Sequence, residues 1–156
     1  NTVVVGSHQT GLQGITISPD VDGFKAKLVW KNVEAQPNIT HGVRVGSHYY
    51  GIGDPAKLVC VDIATGMTAW SDGSLSFPDP KRAMAAFIVM GKNILSLSSG
   101  GELCLFEASQ TVFNELGRTQ ACGINWCMPA YVDGRLFVRD GIKKKGGNLI
   151  CLDLTD

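Results

Sequence analysis

The sequence predicts an all-β protein built from a repeated unit of short antiparallel strands. Glycine makes up 19 of the 156 residues, and this content indicates many tight turns between short strands. Apolar and polar residues alternate with period two in segments such as Lys57–Asp62 and Arg135–Arg139, which is typical of half-buried strands. No segment sustains a helical period, and we interpret residues 108–116 as a turn that leads into an outer strand.

Three registers of identical residues define the repeat. Glycines in the first turn of three units lie 45 and 43 residues apart: Gly46, Gly91 and Gly134. Cysteines in a later strand of the same units lie 44 and 47 residues apart: Cys60, Cys104 and Cys151. Tryptophans that each end a unit lie 40 residues apart: Trp30 and Trp70. Units of this length with four short strands are blades, so the sequence predicts a β-propeller of four-stranded antiparallel blades.

The chain is expected to form one domain over residues 1–156, divided into four approximate blades: 1–33, 36–75, 82–117 and 118–156. The first unit begins within a blade and lacks the inner strand. One blade cannot bury both of its faces, so neighbouring blades must stack around an axis. We therefore expect about four blades of an eight-bladed ring, completed by the remaining blades of a parent chain or by a second copy.

Charge and hydropathy exclude several classes of partner. Lys+Arg and Asp+Glu balance at 14 each, so no net field draws the chain to nucleic acid or to an anionic membrane. No apolar run approaches the roughly 20 residues of a membrane-spanning helix. The one basic run, Lys143–Lys145, is flanked by glycines and is interpreted as a solvated hairpin tip rather than a phosphate site.

Three motifs resemble those of a known family. The segment "KLVCVDIATGMTAW" carries the pattern of the quinoprotein-type repeat, with Cys60 at its small-residue position and matches at Leu58, Asp62, Thr65, Gly66 and Trp70. The segment "NITHGVRVGSHYYG" supplies a second set, Asn38, His41, Gly42, Tyr50 and Gly51. A final element supplies Trp126, Pro129, Gly134, Leu136, Arg139 and Asp140. Over nearly its whole length the chain resembles the C-terminal half of the bacterial PQQ-like (quinoprotein alcohol dehydrogenase-like) β-propeller proteins.

The resemblance implies a periplasmic or secreted protein and leaves three functions open. The favoured one is a non-catalytic binding or scaffold module whose ligand, a carbohydrate or a protein, lies at the axial channel or on one rim. The second is part of a quinoprotein-type oxidoreductase, which would need PQQ and calcium. The third is a protein-interaction propeller of the outer-membrane assembly type. The adjacent cysteine pair of the dehydrogenases is missing from the sequence, so we expect neither a cofactor nor a bound metal in this chain.

Five residues on the family's polar elements are the candidate ligand-binding residues: Asn38, His41, Trp126, Arg139 and Asp140. Trp126 could stack on a planar ligand, although packing between blades is the more common role of a propeller tryptophan. Arg139 could hold a carboxylate or a sugar hydroxyl, or it could form a structural ion pair with Asp140 that ties blades together. No residue is assigned a catalytic role.

The remaining cysteines and histidines have structural explanations. We expect the three repeated cysteines to occupy equivalent buried positions, because free cysteine behaves as a small hydrophobe. Cys122 and Cys127 are close enough in sequence to form a disulfide in an oxidising compartment, and this alternative stays open. His8 and His48 hold comparable turn positions, where solvated hairpin residues are favoured over a binding rim.

Overall fold

A computed structural model describes residues 2–141 and 146–155, and it contains fourteen strands in four antiparallel sheets. The predicted hairpin tip at Lys143–Lys145 lies outside the described residues. The described part of the chain contains no helix long and apolar enough to cross a membrane. A single turn of 3-10 helix, Pro80–Arg82, interrupts the connection between the second and third sheets.

The four sheets follow one another along the chain, and within each the strands are hydrogen-bonded in sequence order. The first sheet has three strands: β1 (Thr2–Ser7), β2 (Gly11–Asp20) and β3 (Gly23–Asn32). The second has four: β4 (Val43–Val45), β5 (His48–Gly53), β6 (Lys57–Asp62) and β7 (Thr68–Asp72). The third has four: β8 (Ala85–Met90), β9 (Asn93–Ser98), β10 (Glu102–Glu107) and β11 (Glu115–Gln120). The fourth has three: β12 (Ala130–Val132), β13 (Arg135–Arg139) and β14 (Leu149–Asp153).

This arrangement confirms the predicted all-β fold of stacked propeller blades, each a meander of consecutive strands. One approximate boundary needs correction, because residue 117 falls inside β11 rather than at its end. The loop of residues 108–114 is longer than the Thr-Gly turn of the second sheet, and it delays the start of the outer strand. The interpretation of residues 108–116 as a turn leading into that strand is confirmed, since β11 begins at Glu115.

A β-bulge at the same place marks the outer strand of the first three sheets, β3, β7 and β11. At the bulge each of these strands has one residue that pairs with no residue of the adjacent strand: Val29, Ala69 and Leu116. The residue that follows each extra residue pairs directly beside the shift: Trp30 with Gly14, Trp70 with Cys60 and Gly117 with Leu105. The bulge identifies β3 as an outer strand, so the first sheet lacks an inner strand, as the sequence predicts.

The two tryptophans at this bulge position act as wedges between neighbouring sheets. The Trp30 indole Nε1 donates a hydrogen bond to the Ile63 carbonyl of the second sheet at 2.8 Å. In the same way Trp70 Nε1 donates to the Ser109 carbonyl of the third sheet at 2.9 Å. Gly66 lies so close under the Trp30 ring that an added Cβ would come within 2.5 Å of it. The packing of Trp70 between blades, the common role of a propeller tryptophan, is therefore confirmed, and Trp30 packs in the same way.

The core consists of three apolar clusters, one at each junction between adjacent sheets. Leu12, Tyr49 and Val61 represent the cluster between the first and second sheets. The largest cluster lies between the second and third sheets, where the Trp70 ring centroid is 6.0 Å from that of Tyr50 and 5.8 Å from that of Phe113. Leu136 and Leu97 belong to the cluster between the third and fourth sheets.

The repeated cysteines do not occupy equivalent positions. Cys60 and Cys104 are both fully buried, and burial raises the pKa of each thiol to about 11. However, they belong to one cluster and approach the same junction from opposite sheets. The bulge position aligns Cys60 with Leu105 rather than with Cys104. The alignment of the cysteines in the sequence is therefore wrong by one residue, and a shift of one residue places a side chain on the opposite face of a strand. Cys151 is exposed, because its neighbours Ile150 and Leu152 are the residues that face the third sheet.

Two further expectations from the sequence are settled by the local structure. Cys122 and Cys127 are free thiols, so the disulfide alternative is not formed. His48 is buried on β5, where Nδ1 lies 3.0 Å from Ser47 Oγ and Nε2 lies 3.9 Å from an Asp62 carboxylate oxygen. The favoured interpretation of His48 as a solvated hairpin residue is therefore wrong, whereas His8 is exposed on the β1–β2 turn.

The wedge role of Trp70 predicts a large loss of stability in the Trp70→Ala variant. Removing a buried tryptophan costs about 3–5 kcal/mol, and the Ser109 carbonyl loses one of its two donors, keeping only the Tyr50 hydroxyl at 3.1 Å. The exposed Trp126 is the matched control, and Trp126→Ala should change the free energy of unfolding by less than about 0.5–1 kcal/mol. Urea unfolding monitored by circular dichroism measures both variants. Equal effects of the two substitutions would contradict the wedge role.

Candidate functional site

The connections that lead into the inner strands β4, β8 and β12 converge on one face of the blades and enclose a cavity of about 110 Å³. Its lining comes from residues 39–41, 84–86 and 125–128, together with Leu97 and Ser99 at the end of β9. The Ser99 N–H donates to the Met84 carbonyl at 2.8 Å, which fixes the start of β8 against the end of β9. The walls of the cavity therefore belong to three successive sheets.

Asn125 holds the third connection against the third sheet. Its side chain is buried, with Nδ2 donating to the Ser98 carbonyl at 3.0 Å, and its backbone N–H donates to the Ser99 carbonyl at 3.1 Å. A buried amide with these partners is costly to move, because any displacement leaves polar groups unpaired. The neighbouring Trp126 is thereby held on a fixed backbone. The sequence did not single out Asn125, since one asparagine in a loop carries no distinctive pattern.

Three large apolar side chains around the cavity are exposed, and we call them the docking patch. Ile39 is 69% exposed, Trp126 is 56% exposed and Met128 is 59% exposed, and all three line the cavity. The more common role of a propeller tryptophan, packing between blades, is therefore wrong for Trp126. Ile39 and Met128 were missed by the sequence analysis, because a single apolar residue in a loop is ordinary and only its neighbours in space make a patch.

Two of the candidate polar residues lie on the first of these connections. His41 is exposed and lines the cavity beside Thr40, whose buried Oγ1 has no hydrogen-bond partner among the described residues. Asn38 does not line the cavity. Its Nδ2 lies 3.5 Å from the Lys81 carbonyl, so it bridges two connections instead.

Arg139 and Asp140, both in the described part of the chain, have different partners. Their charged groups do not approach each other within 4.0 Å, so they form no ion pair. The Arg139 guanidinium lies 3.7 Å from Cys127 Sγ, beside the cavity wall. Asp140 accepts hydrogen bonds from the Asn148 backbone N–H at 2.7 Å and the Gly123 N–H at 3.4 Å. These hydrogen bonds lower the pKa of the Asp140 carboxyl below its usual range, and those from Asn148 have the largest effect. Asp140 thus ties two connections together, and Arg139 lies at the edge of the site.

The structure therefore brings His41 and Trp126 to one cavity with Arg139 at its edge, while Asn38 and Asp140 support the connections around it. Ligand binding by any of the five stays a prediction. The arrangement offers an apolar rim, one imidazole and one guanidinium. It can bury an apolar side chain and pair with a carboxylate or carbonyl beside it.

The lining of this cavity does not offer the ligand set of the calcium ion that the oxidoreductase alternative would need. Calcium takes six to eight oxygen ligands, with carboxylates prominent among them. The cavity lining contains no carboxylate, and its side-chain oxygens are the hydroxyls of Thr40 and Ser99 and the amide oxygen of Asn125. The expectation that this chain carries no cofactor stays a prediction.

Comparison with known proteins bears on the fold. No protein-family model matches the sequence, and no curated protein matches it either. Among solved structures, the chain is similar to the β-propeller protein BamB from Moraxella catarrhalis, with a TM-score of 0.56 and 14% sequence identity. The match covers 87% of this chain and 37% of the BamB chain, so the chain spans little more than a third of that protein's length. At this identity the similarity establishes the β-propeller fold and nothing finer.

The hydrogen bonds of Asp140 predict a pH-dependent contribution to stability. Its pKa is lower in the folded state than the unfolded value of about 3.9. The contribution is therefore present above about pH 4 and is lost as the pH falls through the folded pKa. The difference in urea midpoint between wild type and Asp140→Asn should be constant from pH 5 to 7 and should shrink below pH 4.

Asp22 is the matched control for this measurement. It lies exposed on the β2–β3 turn, and its carboxylate accepts no hydrogen bond from the described residues. Asp22→Asn should leave the urea midpoint of the wild type unchanged. A difference between wild type and Asp140→Asn that grows as the pH falls below 4 would contradict the assigned role of Asp140.

Proposed function

We propose that this chain is a non-catalytic β-propeller module that binds a partner protein through the docking patch. The observation that carries the proposal is the exposure of Ile39, Trp126 and Met128 around one cavity. Tryptophan and methionine are enriched in the buried centres of protein interfaces, and arginine is enriched with them. Arg139 lies at the edge of the same site.

The dimensions and rigidity of the site support a protein ligand. A cavity of about 110 Å³ is smaller than the roughly 300–1,000 Å³ of typical small-molecule pockets, and it suits a single anchoring side chain. The buried hydrogen bonds of Asn125 preorganise the patch, so little conformational entropy is lost on binding. The oxidoreductase and carbohydrate alternatives have no comparable observation in their favour.

The proposed cellular location and type of partner rest on the family resemblance. A periplasmic or secreted protein is expected, and the outer-membrane assembly propellers are the resembling group that works through protein contacts. A protein partner fits the described surface without any requirement for catalysis.

Other blades, or a second copy of the chain, are the remaining proposed partners. The face of the first sheet that points away from the second exposes apolar side chains: Val3, Val5, Ile17 and Leu28. The corresponding face of the fourth sheet exposes Leu149 and Val132. Both faces have the character of a blade junction, so we expect further blades to cover them.

Site-specific photocrosslinking tests the docking patch. A chain with p-benzoylphenylalanine in place of Trp126 should give a discrete crosslinked product in extract of the source organism. The same photoreactive residue in place of Val21, which is 96% exposed on the β2–β3 turn, should not. Excess wild-type chain should compete for the product. Met128→Ala chain should compete at least tenfold less well, since interface hot spots contribute about 2 kcal/mol or more.

Two results would contradict the proposed function. The first is crosslinking at residue 126 no stronger than at residue 21. The second is equal competition by the wild-type and Met128→Ala chains, which would place the contact outside the patch.

A further inference from the structure

The outer strand of the third sheet carries glycine where the two preceding outer strands carry tryptophan. Gly117 follows the extra residue of the bulge in β11, as Trp30 does in β3 and Trp70 does in β7. A Cβ atom placed on Gly117 would meet no other atom within 4 Å, and its φ lies outside the left-handed range. The wedge position between the third and fourth sheets is therefore open.

A cavity of about 380 Å³ occupies this junction, and we call it the wedge cleft. Its floor is apolar and comes from the third sheet: Met90, Leu95, Leu103 and Leu105. Gly117 lies at its outer edge, and Leu154 of the fourth sheet closes the other side. The volume lies at the lower end of the roughly 300–1,000 Å³ that is typical of small-molecule pockets.

Leu154, at the side of the wedge cleft, carries a carbonyl that corresponds to the acceptor of the Trp30 indole. The Leu154 N–H donates to the Gly134 carbonyl at 2.7 Å, as the Ile63 N–H donates to the Ser47 carbonyl at 3.0 Å. Leu154 therefore takes the place of Ile63, whose carbonyl accepts the Trp30 indole N–H. Among the described residues no donor reaches the Leu154 carbonyl. An indole in the cleft would satisfy this group in the same way.

We propose that the wedge cleft binds the indole ring of a tryptophan side chain presented by a partner protein. The two equivalent junctions are filled by tryptophan side chains. At the first of them the indole N–H pairs with Ile63, the residue that corresponds to Leu154. A polypeptide source is favoured because β11 is an edge strand, and its unpaired backbone groups can pair with an extended segment that carries the tryptophan. The inference is independent of the docking patch, since the two cavities share no lining residue.

Methyl NMR of the chain tests this site directly. The probe is the peptide acetyl-Gly-Ser-Trp-Ser-Gly-amide, added to protein labelled with ¹³C at the methionine and leucine methyl groups. The methyl signals of Met90, Leu103 and Leu105 should shift saturably. Those of Leu75, buried between the second and third sheets, should not shift. A matched peptide with leucine in place of tryptophan should bind at least tenfold more weakly.

Two glycine variants separate filling of the cleft from the mere addition of a tryptophan. Gly117→Trp should raise the urea midpoint and abolish the peptide-induced shifts, because its own ring would occupy the cleft. Gly73→Trp is the control, since Gly73 lies exposed on the link after β7 and a Cβ there also meets no atom within 4 Å. That variant and Trp126→Ala should both retain the peptide affinity of the wild type.

Several outcomes would overturn the inference. These are the absence of methyl shifts at millimolar peptide, undiminished binding by Gly117→Trp, and equal affinity for the leucine peptide. Free indole that binds as tightly as the peptide would overturn the polypeptide source. If Gly117→Trp does not fold, Gly117→Leu serves as the smaller filler, and it must weaken the peptide affinity at least fivefold for the inference to stand.

Discussion

The contact on which the rest of the structure depends is the tryptophan wedge between neighbouring sheets. A four-stranded sheet cannot bury both faces alone, so its stability comes from the junction with the next one. At two junctions the bulge of the outer strand aims an indole across the gap, where it buries its ring and donates to a carbonyl of the following sheet. The wedge fixes both the spacing of the sheets and their relative register.

The candidate site is a consequence of that stacking. Stacked sheets bring the connections into the inner strands side by side, although each connection belongs to a different repeat. Asn125 then locks one connection to the third sheet, and Trp126 is left exposed beside Ile39 and Met128. The same fold thus uses tryptophan in two opposite ways. Trp30 and Trp70 are buried between sheets, while Trp126 exposes its apolar ring at the docking patch.

The sequence was sufficient for the fold, because glycine spacing and the repeat of Trp30 and Trp70 depend on local pattern alone. It was insufficient to predict which face of a strand each side chain occupies. The similarity between "LVCVD" and "ELCLF" aligned Cys60 with Cys104, which are 44 residues apart, whereas the strand pairing makes Leu105 the true equivalent, at the same spacing of 45 residues as Gly46 and Gly91. A strand reverses its faces with each residue, so this slip moved a side chain to the opposite junction. Arg139 and Asp140 could be located from the motif, but their separate roles depend on hydrogen bonds to Cys127, Gly123 and Asn148, which are distant in sequence.

The most direct test of this account is the solvent exchange of the three indole N–H protons, observed by ¹⁵N-labelled tryptophan NMR. The account predicts slow exchange for Trp30 and Trp70, whose indoles are hydrogen-bonded within the junctions, and fast exchange for the exposed Trp126. One spectrum therefore examines the wedges and the docking patch together. Fast exchange at Trp30 and Trp70, or protection of Trp126 equal to theirs, would contradict it.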